Sequence, residues 1–402
     1  MRASGRSLVI VVSVIVVAGL VVSVLYQPDE SVVSELNQSV VNIGFVEMWD
    51  NYTRIDALFE EIIEPEVNRY AKEVGADIRF NYFVVHADKG SEALEQVIEF
   101  DESGCRYVIG SNCVACVAYS YIEFNDMMLV SSRSRQPDFN MVDEHMFRVC
   151  PHHGDQGIAI ARVLESRNIS RVAVLRRGDS WADDVFEAFS EEYAGNVSVD
   201  VRYPSESTEF NEYLNEIESA INETGSSGTG LLVLSYAEVA AMFEQASEYP
   251  LVLGVPWFGA DSTVGLDEST HVDSVEGFEK VGLYSVAHTV EYGEKWDWLA
   301  SSFLNVTGVY PETRIGYDYD AAWLYALTLL EADSFNRSVL AETMPVVGAG
   351  YRGATGFVCL DEAGDRVNAC YDVWGYVVGD GATVCRRVGY FDGSSGFVVW
   401  LG

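Results

Sequence analysis

Two short strings carry most of the polar chemistry of this chain. Ser132-Arg-Ser-Arg-Gln-Pro137 follows an apolar segment, Met127–Ser131, and Arg177-Gly-Asp-Ser-Trp-Ala-Asp-Asp184 follows another, Arg171–Leu175. Arg133 and Arg135 each offer a planar guanidinium that grips carboxylate or phosphate through two parallel hydrogen bonds. Ser134 between them adds a hydroxyl. Trp181 offers a large rigid face to an apolar group or a cation. No nucleophile elbow, Walker loop, His-Glu-x-x-His string or dinucleotide glycine fingerprint accompanies them. These residue types bind rather than transform, so we expect neither an enzyme nor a cofactor.

The elements that must position them alternate. Strands are expected at Val41–Val46, Ile78–Val85, Arg106–Ile109, Met127–Ser131, Arg171–Leu175, Val197–Tyr203, Leu231–Leu234 and Trp257–Gly259. Amphipathic helices are expected at Arg54–Val74, Glu92–Phe100, Ala115–Phe124, Glu209–Ile221 and Ala237–Ala246. Strands separated by helices mean βαβ units and parallel sheets, whose ligands sit beyond the carboxyl ends of the strands. The rhythm runs too long for one sheet, so the expectation is two α/β lobes with a break near Phe147–Pro151. Arg314–Ala332 is a long helix rich in Tyr and Ala, and Tyr351–Gly402 is mostly β. Gly225–Gly230 precedes a strand and is a turn, not a phosphate loop.

The chain has 402 residues, with 62 acidic against 25 basic side chains and a net charge of -37. Such a surface repels nucleic acid and anionic lipid. Arg2 and Arg6 precede the uncharged stretch Leu8–Leu25, which is long enough to span a bilayer with its basic flank in the cytoplasm. A retained anchor is favoured over a cleaved signal peptide, and either places the body outside the cell. Asn37, Asn51, Asn168, Asn196, Asn222, Asn305 and Asn336 are glycosylation sequons, in keeping with export. Seven cysteines suit an oxidising compartment. Cys113-Val-Ala-Cys116 has redox spacing but reads first as structural, and Cys359 and Cys370 flank a turn that a disulfide would staple.

In their order and spacing, several strings resemble the type I periplasmic binding proteins, specifically the branched-chain amino acid family of ABC transporter solute receptors. They are Tyr107-Val-Ile-Gly110 leading to Cys113, Met128-Leu-Val-Ser131 with Pro137, Phe147-Arg148 with Asp155-Gln-Gly157, and Asp179-Ser-Trp-Ala182. Trp257-Phe-Gly-Ala-Asp261, Gly316-Tyr-Asp-Tyr-Asp-Ala-Ala322 and Gly356 with Asp361-Glu-Ala-Gly-Asp365 complete the set. The resemblance spans about residues 42–380. It implies a type I fold: two doubly wound parallel-sheet lobes joined by a three-segment hinge, behind an N-terminal transmembrane or signal segment.

The expected division is 1–25 anchor, 26–40 linker, 41–149 and 285–345 first lobe, and 150–284 and 346–402 second lobe. The implied function is capture of an amino acid or related polar metabolite for a permease and its ATPase subunits; the alternative is a sensory ectodomain with a partner chain. By resemblance Asp261 takes the ligand ammonium, and Trp181 stands where the family often has a cleft tyrosine. Arg133 and Arg135 depart from the family's small residues and suggest an acidic group on the ligand. Val114 and Ala115 replace a hydroxyl, leaving Ser111 and Cys113 as the nearest polar side chains. Ser235 and Tyr236 are expected to face the cleft, and Trp49 with Tyr52 to cover the ligand side chain. His152 and His153 are expected to serve the hinge rather than a metal.

Overall fold

The computed structural model describes residues 39–48, 54–135, 146–266, 275–332 and 334–401. The expected anchor, most of the linker, Trp49 and Tyr52 lie outside them. No helix among the described residues is long and apolar enough to cross a membrane.

The first sheet holds β1 (Ser39–Met48), β2 (Ile78–Ala87), β3 (Tyr107–Gly110), β4 (Met128–Ser131) and β5 (Met146–Pro151). The second begins with β6 (Arg171–Arg177), β7 (Asn196–Tyr203), β8 (Thr229–Leu234), β9 (Trp257–Gly259) and β10 (Tyr284–His288). Two-residue strands β11 (Arg352–Gly353) and β12 (Gly356–Phe357) form a small hairpin, and β13 (Asp365–Arg366) joins the first sheet. The chain ends with β14 (Tyr371–Gly379), β15 (Ala382–Asp392) and β16 (Phe397–Trp400).

The first sheet has the order β13-β5-β4-β3-β1-β2 and is parallel throughout. The second has the order β16-β15-β14-β10-β9-β8-β6-β7. It is parallel from β7 to β10, as expected of a doubly wound lobe, and the C-terminal β segment extends it through antiparallel pairings β10–β14, β14–β15 and β15–β16. Short turns such as Asp380-Gly381 reverse the chain there, and no helix intervenes to carry it back over the sheet. The order reverses beside β1 in one sheet and beside β6 in the other. Both switch points lie where open α/β sheets bind ligands.

The chain crosses between lobes after β5, after β10 and between β13 and β14. The helix Arg314–Glu331 anchors the first lobe: Ile315 through Leu330 are buried without interruption. Its alanines permit close approach, and its tyrosines find acceptors for their hydroxyls. Tyr325 Oη donates to the carbonyls of Met128 at 2.7 Å and Val108 at 3.1 Å, and Tyr317 Oη to that of Thr289 at 2.9 Å. The helix Arg337–Gly350, which packs beside it, went unread in the sequence because Pro345 sits inside it.

None of the seven cysteines is in a disulfide. The expected Cys359–Cys370 staple fails for a topological reason. The Cys359 carbonyl accepts the Val367 N–H at 3.0 Å, closing the turn before the chain passes into the second sheet with Cys370.

Asp320 holds the β11–β12 hairpin against the first-lobe helix. It is fully buried and accepts from Ala354 N–H at 2.7 Å, Thr355 N–H at 2.9 Å, Tyr351 Oη at 3.1 Å and Thr355 Oγ. A Cβ on Gly353 would lie 2.0 Å from its Oδ1, so glycine is required there. Each buried donor left without an acceptor costs about 1–3 kcal/mol. Asp320→Ala is therefore expected to lower the thermal midpoint strongly, by about 3 kcal/mol or more of stability. A midpoint within a degree or so of wild type would contradict this role.

Candidate ligand cleft

The exits of β1, β3 and β4 face those of β6, β8 and β9 across the gap between the lobes. Arg135 reaches over it. Its Nη1 lies 2.7 Å from Asp261 Oδ2 and 3.1 Å from His288 Nδ1. Asp261 opens a short 3-10 turn just after β9, and its own N–H donates to Gln156 Oε1 at 3.0 Å. The carboxylate is thus aimed at the first lobe instead of capping its own turn. All three crossings contribute groups here. His153 comes from the first, with its N–H on the Arg135 carbonyl at 3.3 Å, His288 from the second and Tyr371 from the third.

Burial alone would raise the Asp261 carboxyl, but the Arg135 guanidinium outweighs it and holds the group below its usual range. Burial, then the Arg135 charge, pushes His288 down to about 3 and His153 down to about 4. Both imidazoles are therefore neutral beside a charged pair. Three buried polar atoms in this cluster have no hydrogen-bond partner among the described residues: His153 Nδ1, Gln156 Nε2 and Tyr371 Oη.

Arg133 has a different fate from the open anion grip expected of it. It is 7% exposed, bonded to Glu47 at the end of β1 and, through Nε at 3.2 Å, to Asp318 Oδ1. Two fully buried carboxylates share this guanidinium. Burial raises the Asp318 carboxyl despite Arg133, and Asp318 Oδ2 has no partner among the described residues. Ser134 is buried, its N–H on Ser131 Oγ at 3.0 Å, and its hydroxyl lacks a partner among the described residues.

On the second lobe, Trp181 is nearly buried and stacks on Tyr236 with ring centroids 4.8 Å apart and planes at 22°. Tyr236 is the exposed member, at 40%. Asp179 caps the helix that carries Trp181, accepting the Ala182 N–H at 3.1 Å. Arg177 lies 4.9 Å over the Tyr236 ring and bonds Asp179 at 2.5 Å and Glu238 at 2.6 Å. Ser235 is buried, and its carbonyl accepts Ser262 Oγ at 2.7 Å. Cys113 stands at the first-lobe edge, before the helix Val114–Phe124, in contact with Cys116.

The sequence thus placed Arg135, Asp261, Trp181 and Tyr236 around one gap. It missed Glu47, Asp318, Gln156, His288 and Tyr371. Asp318 lay inside the Gly316–Ala322 string and Gln156 inside Asp155-Gln-Gly157, which would have found them; the others carry no local signal. No group of three or more His, Cys, Asp or Glu side chains suited to a metal occurs among the described residues. Two cavities lie at the opposite ends of the sheets. One of about 660 Å³ is bounded by Arg106, Tyr107, Phe335 and Arg337, and one of about 400 Å³ by Arg167, Lys280 and Tyr284. Neither borders the charged pair.

The cluster has an acid-sensitive sign. An unfolded histidine takes its proton near 6.5, whereas His288 and His153 resist protonation until about 3 and about 4. Between those values the unfolded chain binds more protons at these residues, so their contribution to stability falls as pH drops below 6.5. Asp261 adds a loss only below the ordinary carboxylate range, as pH falls through its depressed value. Burial pushes Asp155 up to about 7, which acts in the opposite sense, so the sign is read from the variant: His288→Asn is expected to lose less stability than wild type in thermal melts between pH 6.5 and 4. An identical slope in the variant would rule out the buried neutral imidazole as a source of acid sensitivity.

The comparisons agree with this geometry. The family model described as "Receptor family ligand binding region" matches residues 66–379. An uncharacterized protein of Methanocaldococcus jannaschii is 24% identical over 365 residues, covering 85% of this chain and 86% of its own length. An ABC transporter substrate-binding protein of Desulfitobacterium hafniense, solved with Leu, superposes with a TM-score of 0.61 at 19% identity, over 87% of this chain and 100% of that one. A leucine binding protein of Thermotoga maritima gives 0.57 at 18%, over 89% and 98%. A solute binding protein of R. palustris in complex with benzoate gives 0.53 at 14%, over 87% and 96%. With the two lobes, three crossings and matched region on the page, this chain belongs to the receptor family ligand binding region family and has the type I periplasmic-binding fold.

Proposed function

We propose that this chain is an extracytoplasmic solute-binding protein of an ABC importer, which traps an amino acid or related small polar metabolite between its lobes and delivers it unchanged to a permease. The observation that carries the reading is the Arg135–Asp261 contact across the gap, opposite charges 2.7 Å apart with one from each lobe. An amino acid brings the same two charges, a carboxylate for Arg135 and an ammonium for Asp261. The stacked Trp181 and Tyr236 offer a face for its side chain. Leucine and benzoate, held by two proteins of the same fold, share a carboxylate. A ligand touching both lobes favours the closed form by its differential affinity, which is all that capture requires.

Leu8–Leu25 with its basic flank supports an N-terminal anchor that keeps the body at the outer membrane surface. The exposure of Asn168, Asn196, Asn222, Asn305 and Asn336 supports glycosylation there. The family's description as a receptor region favours a second reading, a sensory ectodomain working with a signalling chain. Co-purification with a permease and ATPase separates the two.

Isothermal titration of the purified protein against amino acids and their amides is expected to find a binder. Asp261→Ala is expected to weaken any amine-bearing solute by about 100-fold or more, because one partner of a buried charge pair is removed. Heat from none of the panel would count against solute capture, and an unchanged affinity in Asp261→Ala would remove the ammonium role.

A further inference from the structure

Cys113 and Cys116 differ from the other five cysteines in facing each other. Cys113 immediately precedes the helix Val114–Phe124, at φ -90° and ψ 18°, and Cys116 lies in its first turn. Cys113 is half-buried and Cys116 exposed. Their mutual hydrogen bond, then burial, pushes the Cys113 thiol well above its ordinary range. The buried thiols have other partners. Cys105 donates to the Asn42 carbonyl at 3.2 Å, Cys150 to that of Ser134 at 3.2 Å, and Cys370 Sγ lies 3.9 Å from Asp392 Oδ1.

The geometry suits a bond between the two. Residues three apart on a helical turn have Cα atoms about 5 Å apart, and disulfide-linked Cα atoms are about 4.4–6.8 Å apart. Cys113, sitting before the helix proper, has the rotamer freedom to close the remaining distance. The loop ahead of it is held still: Ser111 Oγ accepts the Met48 N–H at 2.8 Å, and Asn112 Nδ2 donates to the Met48 carbonyl at 2.6 Å. The pair is thereby fixed at the cleft end of β3. The amide dipoles at a helix start favour a thiolate, which is the reactive form.

We propose that Cys113 and Cys116 form a reversible dithiol–disulfide couple on the rim of the ligand cleft, exchanging with small disulfides. The exposed Cys116 thiolate attacks one sulfur of a disulfide such as oxidised glutathione, breaking that S–S bond and releasing one thiol. Cys113 then loses its proton, and its sulfur attacks Cys116 in the mixed disulfide and displaces the second thiol. Two protein S–H bonds are lost and one S–S bond forms, while the oxidant gains two electrons and two protons.

The test uses the full chain, equilibrated in glutathione buffers from fully reduced to fully oxidised, labelled with N-ethylmaleimide and analysed by peptide mass spectrometry. Labelling of the peptide carrying both residues is expected to fall at least tenfold in the oxidised buffer. The same peptide should lose two hydrogens, and reduced glutathione should restore both labels. Cys113→Ser is expected to abolish the internal bond and to trap glutathione on Cys116, while its reduced form melts as the reduced wild type does. Full labelling in the most oxidising buffer, a bond from either residue to a different cysteine, or a bond that reduced glutathione never opens would each overturn the proposal.

Discussion

A guanidinium and a carboxylate, each drawn from a different lobe, meet where both are largely withdrawn from water, and the arrangement of the cleft follows from that meeting. Arg135 and Asp261 would each be costly alone at this depth, because a desolvated charge needs a partner and hydrogen bonds to remain ionised. Together they satisfy one another and depress the Asp261 carboxyl despite its burial. Burial first, and then the Arg135 charge, keeps His153 and His288 uncharged. A solute entering here must therefore replace what the pair supplies. On the proposed function, a solute that carries a single charge would leave the opposite partner stranded, which favours a molecule with both.

The rest of the fold serves to hold these two charges on separate bodies that share a hinge. The first lobe keeps its shape through the buried helix Arg314–Glu331, whose tyrosine hydroxyls tie it to strand carbonyls and whose Asp320 gathers the donors around the β11–β12 hairpin. The second extends its sheet with three antiparallel strands, so its core does not depend on the cleft. Arg133 belongs to the supporting structure more than to the gap. Bracketed by Glu47 and Asp318, it locks the β4 exit to β1 and to that helix, and so fixes the loop from which Arg135 projects.

Much of this was legible in the residues. β3, β4, β6 and β9 are short apolar runs rich in β-branched and aromatic side chains and ended by Gly, Ser or Arg, so periodicity and punctuation located them. Asp261 and Arg135 stood out as ionisable residues at strand exits. That they would hold each other was not legible, because they lie 126 residues apart and their meeting depends on how two lobes close. Tyr371 and His288 are ordinary residues in sequence and gain meaning only from the crossings that bring them together. The helix Arg337–Gly350 was hidden by Pro345 and its run of Val and Gly, where packing on the first lobe overrides weak local preference. The C-terminal strands announced themselves as β, but sequence gave no sign that they would extend the second sheet in the antiparallel sense.

A crystal structure of the protein grown with a solute that gives heat on titration tests the central idea most directly. The account predicts density for one small molecule between the lobes, with a carboxylate on Arg135, an ammonium on Asp261, and the Arg135–Asp261 distance lengthened from 2.7 Å to admit it. A solute bound away from the gap, or lobes that leave that contact untouched while the ligand is held, would contradict it.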